Sequence, residues 1–265
     1  MKTFIGNFLA IYRRELQSYF KSPFAYAIAV VFWLISGLFL IVLLLSPSGI
    51  IAQVSASDQL GLNQPYDVPY EFLKIYLNLL GSLSMFVLPM LSMGLYAEER
   101  KQGTLELLAT SPLTNWVVAL GKLLGVVTFY SAMLVPLMLL QLIAFSASDP
   151  AFPLSLFLLG HGGLLLLGAS TLALGMFISS LSESTVLAAV MTFGVVLLLW
   201  VVDAIATVLP GPIGSSLSHL SLLTHFTDFT QGIFDTSGLV LFLSYIVLGL
   251  YLTAQSIDTL RFQRS

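Results

Sequence analysis

Phe24 to Leu45 reads FAYAIAVVFWLISGLFLIVLLL, an apolar run interrupted only by Ser36 and Gly37. An α-helix crosses a hydrocarbon core of about 30 Å with roughly 20 apolar residues, so this run is a membrane span. No charge falls between Lys21 and Asp58, on either side of it. The same test, worked outward, finds five more spans: Ile75 to Ala97, Leu123 to Phe145, Leu154 to Leu181, Thr185 to Ile205 and Leu239 to Ser256. Only Asp203 intrudes, near the end of the fifth. Composition agrees, with 9% charged residues, 57% hydrophobic residues and a mean hydropathy of +0.96. Ordinary soluble domains carry about 25% charge. The expected fold is all-α, a polytopic membrane protein with six transmembrane helices, residues 1–265 forming a single transmembrane domain.

Basic residues orient the spans. Lys2, Arg13, Arg14, Lys21, Arg100, Lys101, Lys122, Arg261 and Arg264 fall on one side and only Lys74 on the other. Basic loops stay inside, so a multi-pass protein of the cell membrane with both termini cytoplasmic is expected. No cleavable signal peptide is apparent, because about twenty residues of mixed polarity precede the first span. A net charge of −3, with no lysine/arginine-rich run, gives no reason to expect a nucleic-acid partner. The absence of cysteine excludes disulfides and thiolate chemistry.

Between the spans lie three patterned segments. In residues 1–22, Phe4, Phe8, Tyr12, Leu16 and Phe20 recur every fourth position, with Lys2, Arg13, Arg14 and Lys21 opposite. Such a helix lies in the membrane interface with its apolar face toward lipid, and Ser22-Pro23 then turns the chain into the bilayer. Residues 98–116 open with Glu98-Glu99-Arg100-Lys101-Gln102-Gly103-Thr104-Leu105-Glu106-Leu107-Leu108. Gly103 can stop the second span, Thr104 can cap a new helix, and Pro112 ends it. A helix of about seven residues is marginal in water alone; it must pack on its own membrane domain or on a partner. Residues 208–236 hold Pro210-Gly211-Pro212, then an apolar stripe of Leu222, Leu223, Phe226, Phe229 and Ile233 with His225, Asp228 and Gln231 set between. That predicts a short re-entrant or interfacial helix on the outer face. The first outer stretch, 46–70, reads as a plain loop.

Motifs of chemistry are missing from the sequence. There is no G-x-x-x-x-G-K-[ST] phosphate loop, no G-x-S-x-G elbow and no metal-spaced His/carboxylate cluster, so no catalytic residue and no metal site is expected. His161, His219 and His225 read as satisfied interfacial histidines, and Asp203 as a residue of the outer interface.

The stretch Glu98 to Lys122, of the form E-E-R-x-x-G-T-L-E-L-L-x-T-S-P with a later G-K, resembles the signature of ABC-2-type permeases, the membrane subunits of ATP-binding-cassette exporters. Tyr12-Arg13-Arg14-Glu15-Leu16, Ser22-Pro23-Phe24-Ala25-Tyr26 and His225-Phe226-x-x-Phe229-x-x-Gly232 are similar to the same family, nearest its gliding-motility-associated branch. The resemblance implies an exporter permease that is not itself an enzyme, paired with a second copy or a related permease in the lipid bilayer. ATP and Mg would sit on a separate ABC ATPase subunit, and an auxiliary extracytoplasmic subunit is a further partner it admits. It assigns ATPase coupling to Glu98, Glu99, Arg100, Gly103, Thr104, Leu105, Glu106 and Leu108, with Arg13, Arg14 and Glu15 of the interfacial helix beside them. Glu183 would be a second cytoplasmic contact, and His225, Phe226, Phe229 and Gly232 an outer gate. Spans one and five would form the dimer seam, while Gly168, Ala169, Ala173 and Gly175 of span four offer either a helix–helix seam or internal packing. Two rivals differ in class. An ion-coupled secondary transporter would show repeats and midplane carboxylates, and a non-transporting scaffold would bind partners alone.

Overall fold

In a computed structural model of the chain, residues 2–59, 67–104, 114–148, 151–209, 211, 214 and 217–262 are described, and every regular element among them is a helix. Six helices are long and apolar enough to span a membrane. α1 (Lys2–Lys21) precedes the first span, α2 (Pro23–Leu45), whose N-cap Ser22 accepts from the Ala25 amide. The stretch expected as a plain loop contains α3 (Ile50–Gln59), which packs on the first and second spans. Ile50 at its start is buried, and an apolar anchor of that kind outweighs the short length.

The second span starts earlier than expected. Asp67 accepts from the Tyr70 amide and Pro69 sits in the first turn, so α4 runs from Val68 to Ser92. Both features favour a helix start. Lys74, taken as a boundary, stays on the helix beside Glu71 at 4.0 Å. α5 (Gly94–Lys101) continues the same span after a break at Met93. Pro89 lies one turn earlier, and the Ser179 hydroxyl enters the break, donating to the Met93 carbonyl (2.7 Å) and accepting from the Tyr96 and Ala97 amides (3.0 Å each). A side chain inserted in the hydrogen-bond ladder is a recognised cause of a helix kink.

α6 (Asn115–Ala144) begins eight residues before the expected Leu123, because Lys122 is neutralised inside the fold rather than marking its edge. Thr114 takes the N-cap position without a side-chain capping bond. α7 (Leu154–Leu181) occupies the bounds read from sequence. α8 (Thr185–Val208), capped by Ser184, α9 (Leu222–Thr230), capped by Ser221, and α10 (Thr236–Phe262) complete the chain.

The bundle is organised around α7, which touches α4, α5, α6, α8, α9 and α10. Its small residues make that possible. Gly168 lies under the Tyr130 ring, and the Tyr130 hydroxyl meets Ser84 Oγ at 2.7 Å. Ala173 is fully buried against Gly249 of α10, and Gly175 against Ser92. Three of the four small residues named for span four, Gly168, Ala173 and Gly175, therefore meet the protein's own helices. By contrast α2 and α8 are the least enclosed spans, with Leu34, Leu38, Val186, Val190 and Leu198 exposed on their outer faces.

Candidate functional site

At the end of the bundle where α1, α5 and the start of α6 meet, the expected coupling residues divide into two groups. Glu98, Gly103 and Thr104 face outward, whereas Glu99 turns in. Lys122 Nζ, 5% exposed, lies 3.1 Å from Glu99 Oε1 and 3.3 Å from Glu15 Oε2, donates to the Leu95 carbonyl at 2.7 Å, and stands 4.9 Å over the Tyr96 ring. Arg14 approaches Glu99 from the surface at 3.9 Å. One buried cation thus ties three elements together. Burial pushes the Glu15 carboxyl above its ordinary range, with Lys122 opposing.

α1 reaches this cluster because α6 offers no side chains where the two cross. A Cβ on Gly121 would lie 2.9 Å from Ile11, and one on Gly125 2.9 Å from Glu15. Tyr19 stacks on Phe129 and donates to the Leu91 carbonyl at 2.6 Å, beside the kink in the second span. Part of the apolar face of the N-terminal helix meets the third span, Tyr12 at Thr128 and Phe20 at Phe129, while Ile5 and Leu9 stay exposed. The repeat of aromatics every fourth residue signals an apolar face; it cannot say whether lipid or protein covers it.

α5 ends in a Schellman turn. The Thr104 amide bonds to the Glu99 carbonyl (2.9 Å), the Gly103 amide to the Arg100 carbonyl (3.1 Å), and Gly103 has φ +69°. Glycine tolerates that left-handed backbone. Leu105, Glu106 and Leu108 lie outside the described residues. Arg100 bonds the Ser180 carbonyl at 2.8 Å and lies 3.7 Å from Glu183, so the two predicted contact points, 98–104 and 182–184, adjoin. Between α1 and the kink is a cavity of about 200 Å³ lined by Glu15, Ser18, Tyr19, Met90, Gly94 and Glu98. Farther along α4 and α8 follows an apolar groove of Met85, Phe86, Phe193, Leu197 and Trp200.

At the far end, α9 is wedged against α4 and α7. Phe226 sits where Gly81 leaves room and Phe229 where Gly163 does; both phenylalanines are buried. Asn78 donates to Thr230 Oγ1 (2.8 Å) and accepts from Thr227 Oγ1 (3.2 Å). Asp203 accepts from the hydroxyls of Ser221 and of Thr224, the latter at 2.7 Å, and so secures the start of α9. Gly232, φ +83°, closes α9 with a second Schellman turn, Ile233 N to Asp228 O at 2.9 Å. Ile233, assigned to the apolar stripe, lies past this turn and is exposed.

The histidines need correction. His161 is buried within the bundle rather than interfacial, with Nδ1 at 2.9 Å from the Phe157 carbonyl and Nε2 at 3.3 Å from Gln141. His225, read as a polar residue between apolar ones, is on the buried side of α9. Its Nδ1 lies 3.9 Å from Asp228 Oδ2 and 3.7 Å from Asp235 Oδ2, a cluster the sequence reading missed. The i, i+3 spacing of His225 and Asp228 was a usable signal; the approach of Asp235 depends on the turn at Gly232. Hydrogen bonds from the Ser237 hydroxyl and amide hold Asp235 below the usual carboxylate range. Partial burial pushes Asp228 up, with His225 opposing and Asp235 adding to it.

The family model described as ABC-2 family transporter protein matches residues 55–256. No curated protein matches the chain.

Proposed function

The chain belongs to the ABC-2 family of transporter proteins, and from that premise we propose that it is the permease half of an ABC exporter, forming the substrate path as a dimer and driven by a separate ATPase subunit that carries ATP and Mg. The observation that carries this reading is the family match, which runs from the first outer segment to the last span and includes 98–122. The sequence also lacks a phosphate loop of its own. Its narrower placement in the gliding-motility-associated branch rests on the sequence resemblance alone.

On this reading the basic end is cytoplasmic, and the ATPase docks on Glu98, Gly103, Thr104 and the following leucines, with Glu183 at its edge. Glu99 and Glu15 hold Lys122 instead of touching the partner, so α1, α5 and the start of α6 transmit the push as one body. The dimer partner covers the open faces of α2 and α8. The cavity and apolar groove both follow α4 and α8, which supports a substrate path along that flank.

Two experiments test it. Leu108→Asp would place a charge in an apolar contact, at a cost of a few kcal/mol when no partner is present. Retention of the ATPase on the purified permease is expected to fall at least tenfold (about 1.4 kcal/mol), with membrane insertion unchanged. Wild-type ATPase recruitment and transport in both Leu108→Asp and Glu106→Lys would remove the coupling assignment. Separately, tags at either terminus should react with impermeant reagents only after the membrane is opened from the cytoplasmic side. Labelling in intact cells would reverse the orientation.

A further inference from the structure

His225 presents an electrostatic problem that the packing of α9 leaves open. Its ring is 5% exposed and its Nδ1 makes no hydrogen bond. The other nitrogen, Nε2, points at the His219 carbonyl oxygen at 3.4 Å, which favours the tautomer with the proton on Nε2. Nδ1 faces the carboxylates of Asp228 and Asp235; a lone pair there would be repelled by the anions unless a cation, a proton or a metal ion, lies between them. The distances of 3.9 and 3.7 Å are longer than even that weak 3.4 Å contact and well outside the usual N···O range of about 2.7–3.2 Å. They suit three donors around a shared cation.

We propose that His225, Asp228 and Asp235 form a binding site for a borderline divalent metal of the Zn²⁺ type on the far end of the bundle. All three ligand atoms lie within 4.8 Å of one another. With metal–ligand bonds of about 2.0–2.2 Å, tetrahedral donors stand roughly 3.4 Å apart, so the imidazole is within a few tenths of an ångström of its place, and rotation of the carboxylates, which have up to about 1.4 Å to close, completes the site. The donor set decides the metal: an imidazole nitrogen selects Zn²⁺ and its neighbours over Mg²⁺ and Ca²⁺, which prefer oxygen alone. A carbonyl behind the distal nitrogen is the usual support of a metal-bound histidine. Ser237 fixes the Asp235 carboxylate in the same way, through its amide at 3.0 Å and its hydroxyl. Asp228 and Asp235 are 34% and 39% exposed, so the metal enters from the medium and keeps an open position for water or a ligand.

Such a metal clasps α9 to the start of α10 across the Gly232 turn. The clasp concerns only this chain's far end and stands whether or not an ATPase docks at the other.

Titration of the chelator-treated full chain in nanodiscs with Zn²⁺ alone tests the site, followed by calorimetry, with Co²⁺ absorption as a second readout. One Zn²⁺ per chain is expected, with a visible Co²⁺ band of a low-coordinate N/O site. Asp228→Asn and His225→Gln should each weaken Zn²⁺ binding about 100-fold or more and remove the band. His219→Gln should leave both unchanged, because its carbonyl and not its ring is used. Asp228 is a partly exposed ligand, so its amide variant keeps the fold and the result interpretable. Absence of saturable one-to-one binding overturns the proposal, as does binding that Asp228→Asn and His225→Gln leave at the wild-type level.

Discussion

Lys122→Met is expected to destabilise the protein by about 3–5 kcal/mol, the cost of leaving buried charges without their partner. The methionine fills nearly the same volume, so lost packing contributes little. What remains is two carboxylates, Glu15 and Glu99, each 15% exposed, facing one another with no cation between them. Arg14 is too far out to replace it, at 3.9 Å from Glu99 and 74% exposed. Denaturant titration of the purified membrane protein measures the loss. Adding Glu99→Gln to the variant should recover part of it, because one of the two repelling charges is gone. Acidification should recover more. Burial raises the Glu15 carboxyl, so the folded chain takes up a proton more readily than the unfolded one. Stability from that group therefore grows as pH falls through the folded pKa, and shrinks as pH rises. Without Lys122 the effect is larger. A Lys122→Met loss below about 1 kcal/mol, or one that acid deepens, would show that the cluster is solvated.

Gly249→Val should be nearly as damaging, at about 3 kcal/mol, the upper part of the usual overpacking range. A Cβ there would lie 2.6 Å from the carbonyl carbon and oxygen of Ala173. Backbone atoms in the central helix cannot rotate aside as a side chain can. α10 must move away from α7, opening its most extensive contact in the bundle. Gly194→Val is the matched control, since nothing lies within 4 Å of a Cβ at that position. Equal stability of the two variants would mean that α10 is not held against α7 at this distance.

The membrane class, the six spans and the break at Gly103 were all legible in the sequence, because each depends on local chemistry. A charge-free run long enough to cross a bilayer has few alternatives, and a glycine after Arg100-Lys101-Gln102 has one obvious conformational use. The same local logic misplaced the start of the third span, since a lysine reads as a boundary when its partners cannot be seen. Glu15 and Glu99 come from 107 and 23 positions away from Lys122, and only the tertiary fold brings them to it. Apolar periodicity likewise told that α1 and α9 have buried faces but not what buries them. Lipid and protein are equally apolar, so the choice rests on where glycines such as Gly81, Gly121 and Gly163 leave space on neighbouring helices. The cluster of His225, Asp228 and Asp235 divides in the same way. The first two share one helical face by spacing alone, whereas Asp235 arrives through the left-handed turn at Gly232, a change of direction that side-chain periodicity does not record.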